Sequence, residues 1–456
     1  MNHTKSGDSR HPFPFHAIEG KGTYLIFNFI DISLFKVDPN TYELFSQLIE
    51  GRTIEDLLSK NSYDEMQGIF RIINHESSGA LKSQFSQECC LALDKLVLNV
   101  SNTCNLHCKY CYAAGGTYGE DRAFMDKHTA TAAINYFYNI FDKINIIQFF
   151  GGEPFLNPKI IEHVCSHALD VAGKVPKFSI VSNGTIISPA IIQILSEYNI
   201  RATISIDGPK YINDQLRGKG TSGRIFRNIS CLKENNIDVS VESTFTGYHL
   251  NNGIKVSDLM KFFYKKFDIR FAHMPSVAAS QEDDLHLDQS DLLKIYSEAM
   301  EYSLDSLSSD DYKVDSYTLR LIMALIQKNS IGLYCPAGVT SLSVSTKGDI
   351  YPCFMFIGKK EFRLGNVLEE KIDLSQLSYV SNLLKRVNKW TDCECSNCWA
   401  ISLCFGCLGG DYVTTGSTDG RPNCNFMRQF LENFLLKFAE SINDPVVLSR
   451  MISICQ

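Results

Sequence analysis

Residues 92–274 alternate between two kinds of run, and that alternation limits the architectures open to the chain more than any other feature. KLVLNV (95–100), NIIQFF (145–150), FSIVS (178–182), RATISID (201–207), VSVESTF (239–245) and IRFAHM (269–274) are short, apolar and rich in β-branched residues. Polar or glycine-bearing turns bound them, which is the pattern of strands. Helical patterns separate them, among them DKHTATAAINYFYNIFDK (126–143) and RIFRNISCLKENN (224–236). Strand–helix alternation predicts parallel strands in βαβ units. Six such units make a partial (β/α)6 barrel, an α/β fold whose chemistry sits at the C-terminal ends of the strands. The polar residues there are the candidate ligand contacts: Ser182 and Asn183 at the third strand, Ser205 and Asp207 at the fourth, and Glu242 within the fifth. The plain alternative for each is a helix cap or a turn, since Asn183-Gly184 and Asp207-Gly208 are turn dipeptides.

Directly after the first strand comes SNTCNLHCKYCYAAGG, with Cys104, Cys108 and Cys111 spaced C-x3-C-x2-C. Three thiolates on one tight loop suit a cubane iron–sulfur cluster, leaving one iron open to a substrate or cofactor. Zinc is the alternative, with His107 inside the loop as a fourth donor. About forty residues after Cys111 the second strand runs into Gly151-Gly152-Glu153-Pro154. Glycines without Cβ let backbone approach a ligand closely, and the Glu153 carboxylate can accept a hydrogen bond from an ammonium group.

The cysteine loop and this turn together resemble the signature of radical S-adenosylmethionine (radical SAM) enzymes. The resemblance implies that Cys104, Cys108 and Cys111 bind a 4Fe–4S cluster whose open iron chelates the methionine part of S-adenosylmethionine. It also implies that Tyr110, the aromatic before the third cysteine, meets the adenine through its backbone. Gly151, Gly152, Glu153 and Pro154 would contact the sulfonium ligand. Ser182, Asn183, Ser205 and Asp207 would bind ribose hydroxyls and the methionine carboxylate, with Arg217 near that carboxylate. Asp214 and Glu242 are weak candidates for a proton acceptor.

The chain has 16 cysteines, and eight of them lie between Cys335 and Cys424. Cys353 ends TKGDIYPC, a hairpin pattern turning at Gly348, and C-x2-C-x5-C-x2-C runs from Cys395 to Cys407. Paired C-x2-C units also suit zinc ribbons. A disulfide framework is not expected, because MNHTKSGDSR has no apolar signal segment and cytosolic thiols stay reduced. The pattern resembles the SPASM extension of radical SAM peptide-modifying enzymes, which implies two auxiliary 4Fe–4S clusters. Cys335, Cys353 and Cys407 would hold the inner one, and Cys395, Cys398, Cys404 and Cys424 the outer. Two residues separate Cys404 from Cys407 where the family usually has three, which loosens the pairing. The inner cluster's fourth position would fall to Cys393 or stay open for a substrate thiol. Cys89, Cys90, Cys165, Cys231 and Cys455 match no motif.

Residues 1–85 read as a small module of two strands and three helices, from TYLIFNFIDISLFKV through RTIEDLLSK (52–60) to DEMQGIFRII (64–73). It resembles the winged-helix-like precursor-recognition domain of enzymes that modify ribosomally made peptides, which binds a leader peptide as an added strand. A DNA-binding winged helix fits the same pattern, but no basic cluster is present and the net charge is −7. The remaining boundaries fall at 92–305 for the barrel, 306–332 for a bridge and 333–456 for the SPASM region. No apolar run approaches a membrane span, and the expected location is cytoplasmic.

Taken together, the resemblance implies a maturase of the thioether-forming sactipeptide and ranthipeptide type, with three 4Fe–4S clusters, S-adenosylmethionine, a precursor peptide carrying acceptor cysteines, and a flavodoxin or ferredoxin reductant. Nucleic acid and membrane partners are not expected. The alternatives are an anaerobic sulfatase-maturating enzyme, a carbon–carbon crosslinking enzyme or epimerase, and a zinc-stapled peptide-binding adaptor.

Overall fold

The computed structural model describes residues 13–75, 92–273, 284–369, 387–418 and 424–456. Cys89, Cys90 and Met274 lie outside them. All six predicted strands form: β4 (Ala92–Ser101), β5 (Lys143–Gly151), β6 (Lys177–Ser182), β7 (Arg201–Ser205), β8 (Val239–Glu242) and β9 (Phe271–His273). They pair parallel in sequence order, with Leu98 opposite Phe149 and Ser205 opposite Glu242. Along β6 and β7 buried residues alternate with partly exposed ones, Phe178 and Ile180 on the buried side of β6 and Ala202 and Ile204 on that of β7. The crossover helices include α4 (Lys127–Ile140), α5 (Pro158–Val171), α6 (Pro189–Glu197), α7 (Lys210–Arg217), α8 (Thr221–Glu234), α9 (Gly247–Asn251) and α10 (Val256–Phe267). The shared core runs from Leu96 and Ile134 through Ile180 and Ile229 to Phe263.

The sheet is larger than the barrel alone. A two-residue strand, β10 (Val314–Asp315), adds parallel to β9, between α11 (Gln289–Ser306) and α12 (Ser316–Gln327). At the other edge β11 (Ser341–Val344) adds parallel to β4. It turns through Gly348 (φ 88°) into antiparallel β12 (Asp349–Tyr351), which pairs with β13 (Gly365–Asn366). The C-terminal region is therefore stitched to the strand that precedes the Cys104 loop. Three helices complete it: α13 (Leu408–Thr415), α14 (Cys424–Ser441) and α15 (Pro445–Ile454).

The N-terminal unit has three strands rather than two: β1 (Phe15–Gly20), β2 (Thr23–Asn28) and β3 (Ser33–Val37), antiparallel in order β1-β2-β3. The sequence FHAIEG mixes polar and apolar residues and gave no clean strand signal. Helices α1 (Pro39–Ile49), α2 (Ile54–Leu58) and α3 (Tyr63–Ile73) follow, with capping boxes at Thr53 and Ser62 fixing the starts of the last two. Alternation along β2 divides its side chains between two cores. Ile26 packs with Phe45, Met66 and Ile69 inside the unit, whereas Leu25 and Phe27 join Phe430 and Phe434 of α14. The His16 ring stacks on Trp399 at 4.0 Å, and its Nε2 lies 2.9 Å from a Glu432 carboxylate oxygen. The unit has its own core and is also docked on the C-terminal region.

Candidate iron–sulfur centres and nucleoside-binding face

The C-terminal strand ends gather the predicted residues. Leaving β4, the chain is pinned by Gly152 N–H donating to the Ser101 carbonyl (2.7 Å) and Glu153 N–H donating to that of Thr103 (2.9 Å). A Cβ on Gly152 would fall 2.5 Å from the Thr103 oxygen, and one on Gly116 would fall 2.9 Å from the Cys104 Cβ. The glycines are thus required by the close approach of the β5 turn to the cysteine loop. Asn183 Nδ2 donates to Asn105 Oδ1 (2.8 Å) and approaches the Cys104 sulfur at 3.7 Å, tying the loop to the end of β6.

Glu153 is fully buried. Its Oε1 accepts from Phe155 N–H (3.0 Å) and the Ser182 hydroxyl (2.8 Å), and its Oε2 from Asn183 N–H (2.8 Å). None of these partners is a cation. Burial raises its pKa to about 7 against those three hydrogen bonds. Ser182 serves here to orient Glu153.

At the end of β7, Asp207 accepts from Arg217 Nε (2.9 Å) and Nη2 (3.0 Å), from the Tyr110 hydroxyl (2.6 Å) and from Thr244 N–H (3.2 Å). Arg217 is buried, not a solvated loop residue, and its guanidinium sits 5.5 Å from the Tyr110 ring centroid. Burial pushes the Cys108 thiol up to about 12, with the Arg217 charge opposing. Iron needs the thiolate, so cluster assembly must release protons from such thiols. Asp214 accepts from Ser222 N–H (2.9 Å) and its hydroxyl (2.6 Å) at the start of α8. Burial raises its pKa, but these bonds outweigh burial and hold it low, so Asp214 acts as a helix cap and is a poor base. Glu242 and Ser205 sit opposite one another at the ends of β8 and β7.

The second cysteine system falls into two groups. Cys395, Cys398, Cys404 and Cys424 line one cavity together with Lys389, Ile401, Met427 and Arg428. Cys335, Cys353 and Cys407 form the other: Cys407 and Cys335 both act electrostatically on Cys353, and Cys335 acts on Cys407. Burial raises Cys407 to about 12 and Cys404 to about 11. Cys393 is exposed, on the turn before Cys395. Among the described residues, no three His, Cys, Asp or Glu side chains are gathered as a single metal ion requires. The outer four thiols share a cavity, a donor set that suits a multi-iron cluster.

One apolar cluster joins the first loop to the inner trio: Ala113 and Tyr118 pack with Cys335, Tyr351 and Leu408, and Cys111, Tyr112 and Cys353 border it. Beside it opens a cleft of about 400 Å3 lined in part by Tyr112, Tyr118, Met355, Lys359 and Tyr412. Met355 Sδ lies 3.8 Å from Cys407 Sγ. Sequence reasoning missed Tyr112, Tyr118 and Met355. Only the adjacency of Tyr112 to Cys111 was visible there.

Comparison with known proteins agrees with this layout. The radical SAM superfamily model matches residues 98–263, and the SPASM iron–sulfur cluster-binding domain matches 335–399. The radical SAM cyclopropyl synthase TigE of Paramaledivibacter caminithermalis is 27% identical over 434 residues, covering 85% of this chain and 86% of that one. A cysteine-type anaerobic sulfatase-maturating enzyme of Clostridium novyi is 23% identical, covering 79% and 98%. The crystal structure of Streptococcus suis SuiB bound to its precursor peptide SuiA has a TM-score of 0.52 at 17% identity, covering 90% of this chain and 97% of SuiB. That likeness extends the shared fold to most of the chain.

Proposed function

For a chain built from a radical SAM domain followed by a SPASM domain, and similar to peptide-modifying enzymes, we propose a maturase that forms cysteine thioether crosslinks in a ribosomally made precursor peptide. The observation that carries this reading is a cleft whose walls include neighbours of both thiol systems. Tyr112 adjoins Cys111 on one side, and Met355 contacts Cys407 on the other. A peptide lying there has one carbon near the first cluster's loop and a cysteine near the inner trio.

In this reading Cys104, Cys108 and Cys111 hold the first cluster. Cys335, Cys353 and Cys407 hold the inner one, and Cys395, Cys398, Cys404 and Cys424 the outer. When bound, these groups and S-adenosylmethionine supply a 5′-deoxyadenosyl radical and a place for the surplus electron. The chain's own residues do the positioning. Glu153, buried and without a cationic partner, receives the ammonium of the methionine part. Asp207, clamped by Arg217 and Tyr110, holds the backbone at the end of β7 in place. Cys335, Cys353 and Cys407 would hold the inner cluster by three thiolates, and a fourth position not taken by Cys393 would be available to the acceptor thiolate of the peptide. Among the described residues, the sheet order β1-β2-β3 leaves β1 and β3 as edge strands, where a leader strand can add main-chain hydrogen bonds.

The second reading, formylglycine formation on a sulfatase, draws on the likeness to the Clostridium novyi enzyme. The leader-binding unit is not needed for it. Anaerobic turnover with a candidate cysteine-bearing precursor peptide separates the two. Loss of two hydrogens per link with retention of sulfur supports the thioether; loss of sulfur from cysteine supports formylglycine.

A further inference from the structure

Lys389 belongs to none of the cysteine motifs, yet its side chain is wholly buried. It lines the cavity formed with Cys395, Cys398, Cys404 and Cys424, and its Nζ donates to the Cys404 carbonyl. Arg428 lines the same cavity from α14, with Nη2 held 2.9 Å from Asn425 Oδ1. Both charges act on the Cys404 thiol in the direction that favours thiolate. The inner trio has a different setting. Asp411, buried on α13 and hydrogen-bonded by the Tyr334 hydroxyl at 3.0 Å, acts on Cys335 and Cys407 as a like charge. Arg320 opposes Asp411 at Cys335, and Lys95 acts as a cation on Cys353, so the inner thiols meet charges of both signs.

A thiolate-held cluster is anionic, and each electron it gains makes it more so. A fixed cation in a low-dielectric wall stabilises the more negative state strongly, because little solvent screens it. We propose that Lys389 is a positioning residue for the outer site, a buried positive charge on its wall that raises the site's reduction potential. The inference rests on the reading of the outer cysteines as cluster ligands.

The test is an EPR-monitored potentiometric titration of the reconstituted full-length enzyme, with iron and sulfide counted in each sample. The Cys395→Ala, Cys398→Ala double variant assigns the outer site's signal by its loss. Lys389→Met is expected to shift that midpoint negative by a tenfold or greater fall in the one-electron equilibrium, about 59 mV. Lys389→Arg is expected to stay near the starting value. A loaded outer site with an unmoved midpoint in Lys389→Met overturns the proposal. If Lys389→Met empties the site, loading restored in Lys389→Arg supports the need for positive charge, and emptiness in both variants overturns it. A wild-type protein whose iron count does not change in the double-cysteine variant instead overturns the cluster assignment beneath the inference.

Discussion

Glu153 shows how much one buried carboxyl can control. It accepts three hydrogen bonds and titrates near pH 7 because burial disfavours its charge. Its pKa in the folded state lies above the unfolded value, so the unfolded chain ionises first as pH rises. The protein without nucleoside should therefore lose stability between about pH 4.5 and 7, by about 3 kcal/mol in full. A bound ammonium reverses this by favouring the carboxylate. Thermal unfolding across that range should show the decline in the wild type and its absence in Glu153→Gln. S-adenosylmethionine should stabilise the wild type most at and above neutral pH, and Glu153→Gln should weaken its binding tenfold or more in calorimetry. The residue itself was legible in Gly151-Gly152-Glu153-Pro154. Its dependence on Ser182 and Asn183 was not, because those contacts join β5 to β6 across about thirty residues of chain.

At the scale of elements, the packing of the β5 turn against the cysteine loop is the tightest constraint. Gly152→Ala places a methyl against backbone that cannot swing aside, at a cost of about 1–3 kcal/mol. The expected outcome is loss of the first cluster with the two auxiliary clusters retained, read from iron content and from abolished S-adenosylmethionine cleavage. The six barrel strands were readable because each is a short run rich in β-branched residues, bounded by turns and separated by helical patterns. Other features were hidden by physics that a local pattern does not carry. β10 is two residues long, and β11 finds β4 across more than two hundred residues. β1 reveals itself only through docking, with His16 stacked on Trp399. Asp214 looked like a candidate base because its sequence context does not show that Ser222 folds back onto it. Lys389 gave no signal, since a lone lysine reads as surface until the cavity around it forms.

The whole molecule is held together by shared cores rather than by linkers. Leu25 and Phe27 of β2 cover Phe430 and Phe434 of α14, so deleting the N-terminal unit would strip a core and confuse a loss of recognition with a loss of fold. A gentler probe is a synthetic leader peptide added in trans. It should protect amides of β1 or β3 from hydrogen exchange, and it should inhibit modification of the full precursor without slowing uncoupled S-adenosylmethionine cleavage. The same arrangement places the first loop beside the inner trio, which is the basis for proposing carbon–sulfur bond formation. The most direct test is the mass of the peptide after anaerobic turnover with the iron-loaded, reduced enzyme and S-adenosylmethionine. The account predicts 5′-deoxyadenosine together with a peptide lighter by two hydrogens per link, its cysteines no longer open to alkylation. Deoxyadenosine with an unlinked peptide whose cysteines still alkylate, or with a cysteine converted to an aldehyde, would contradict it.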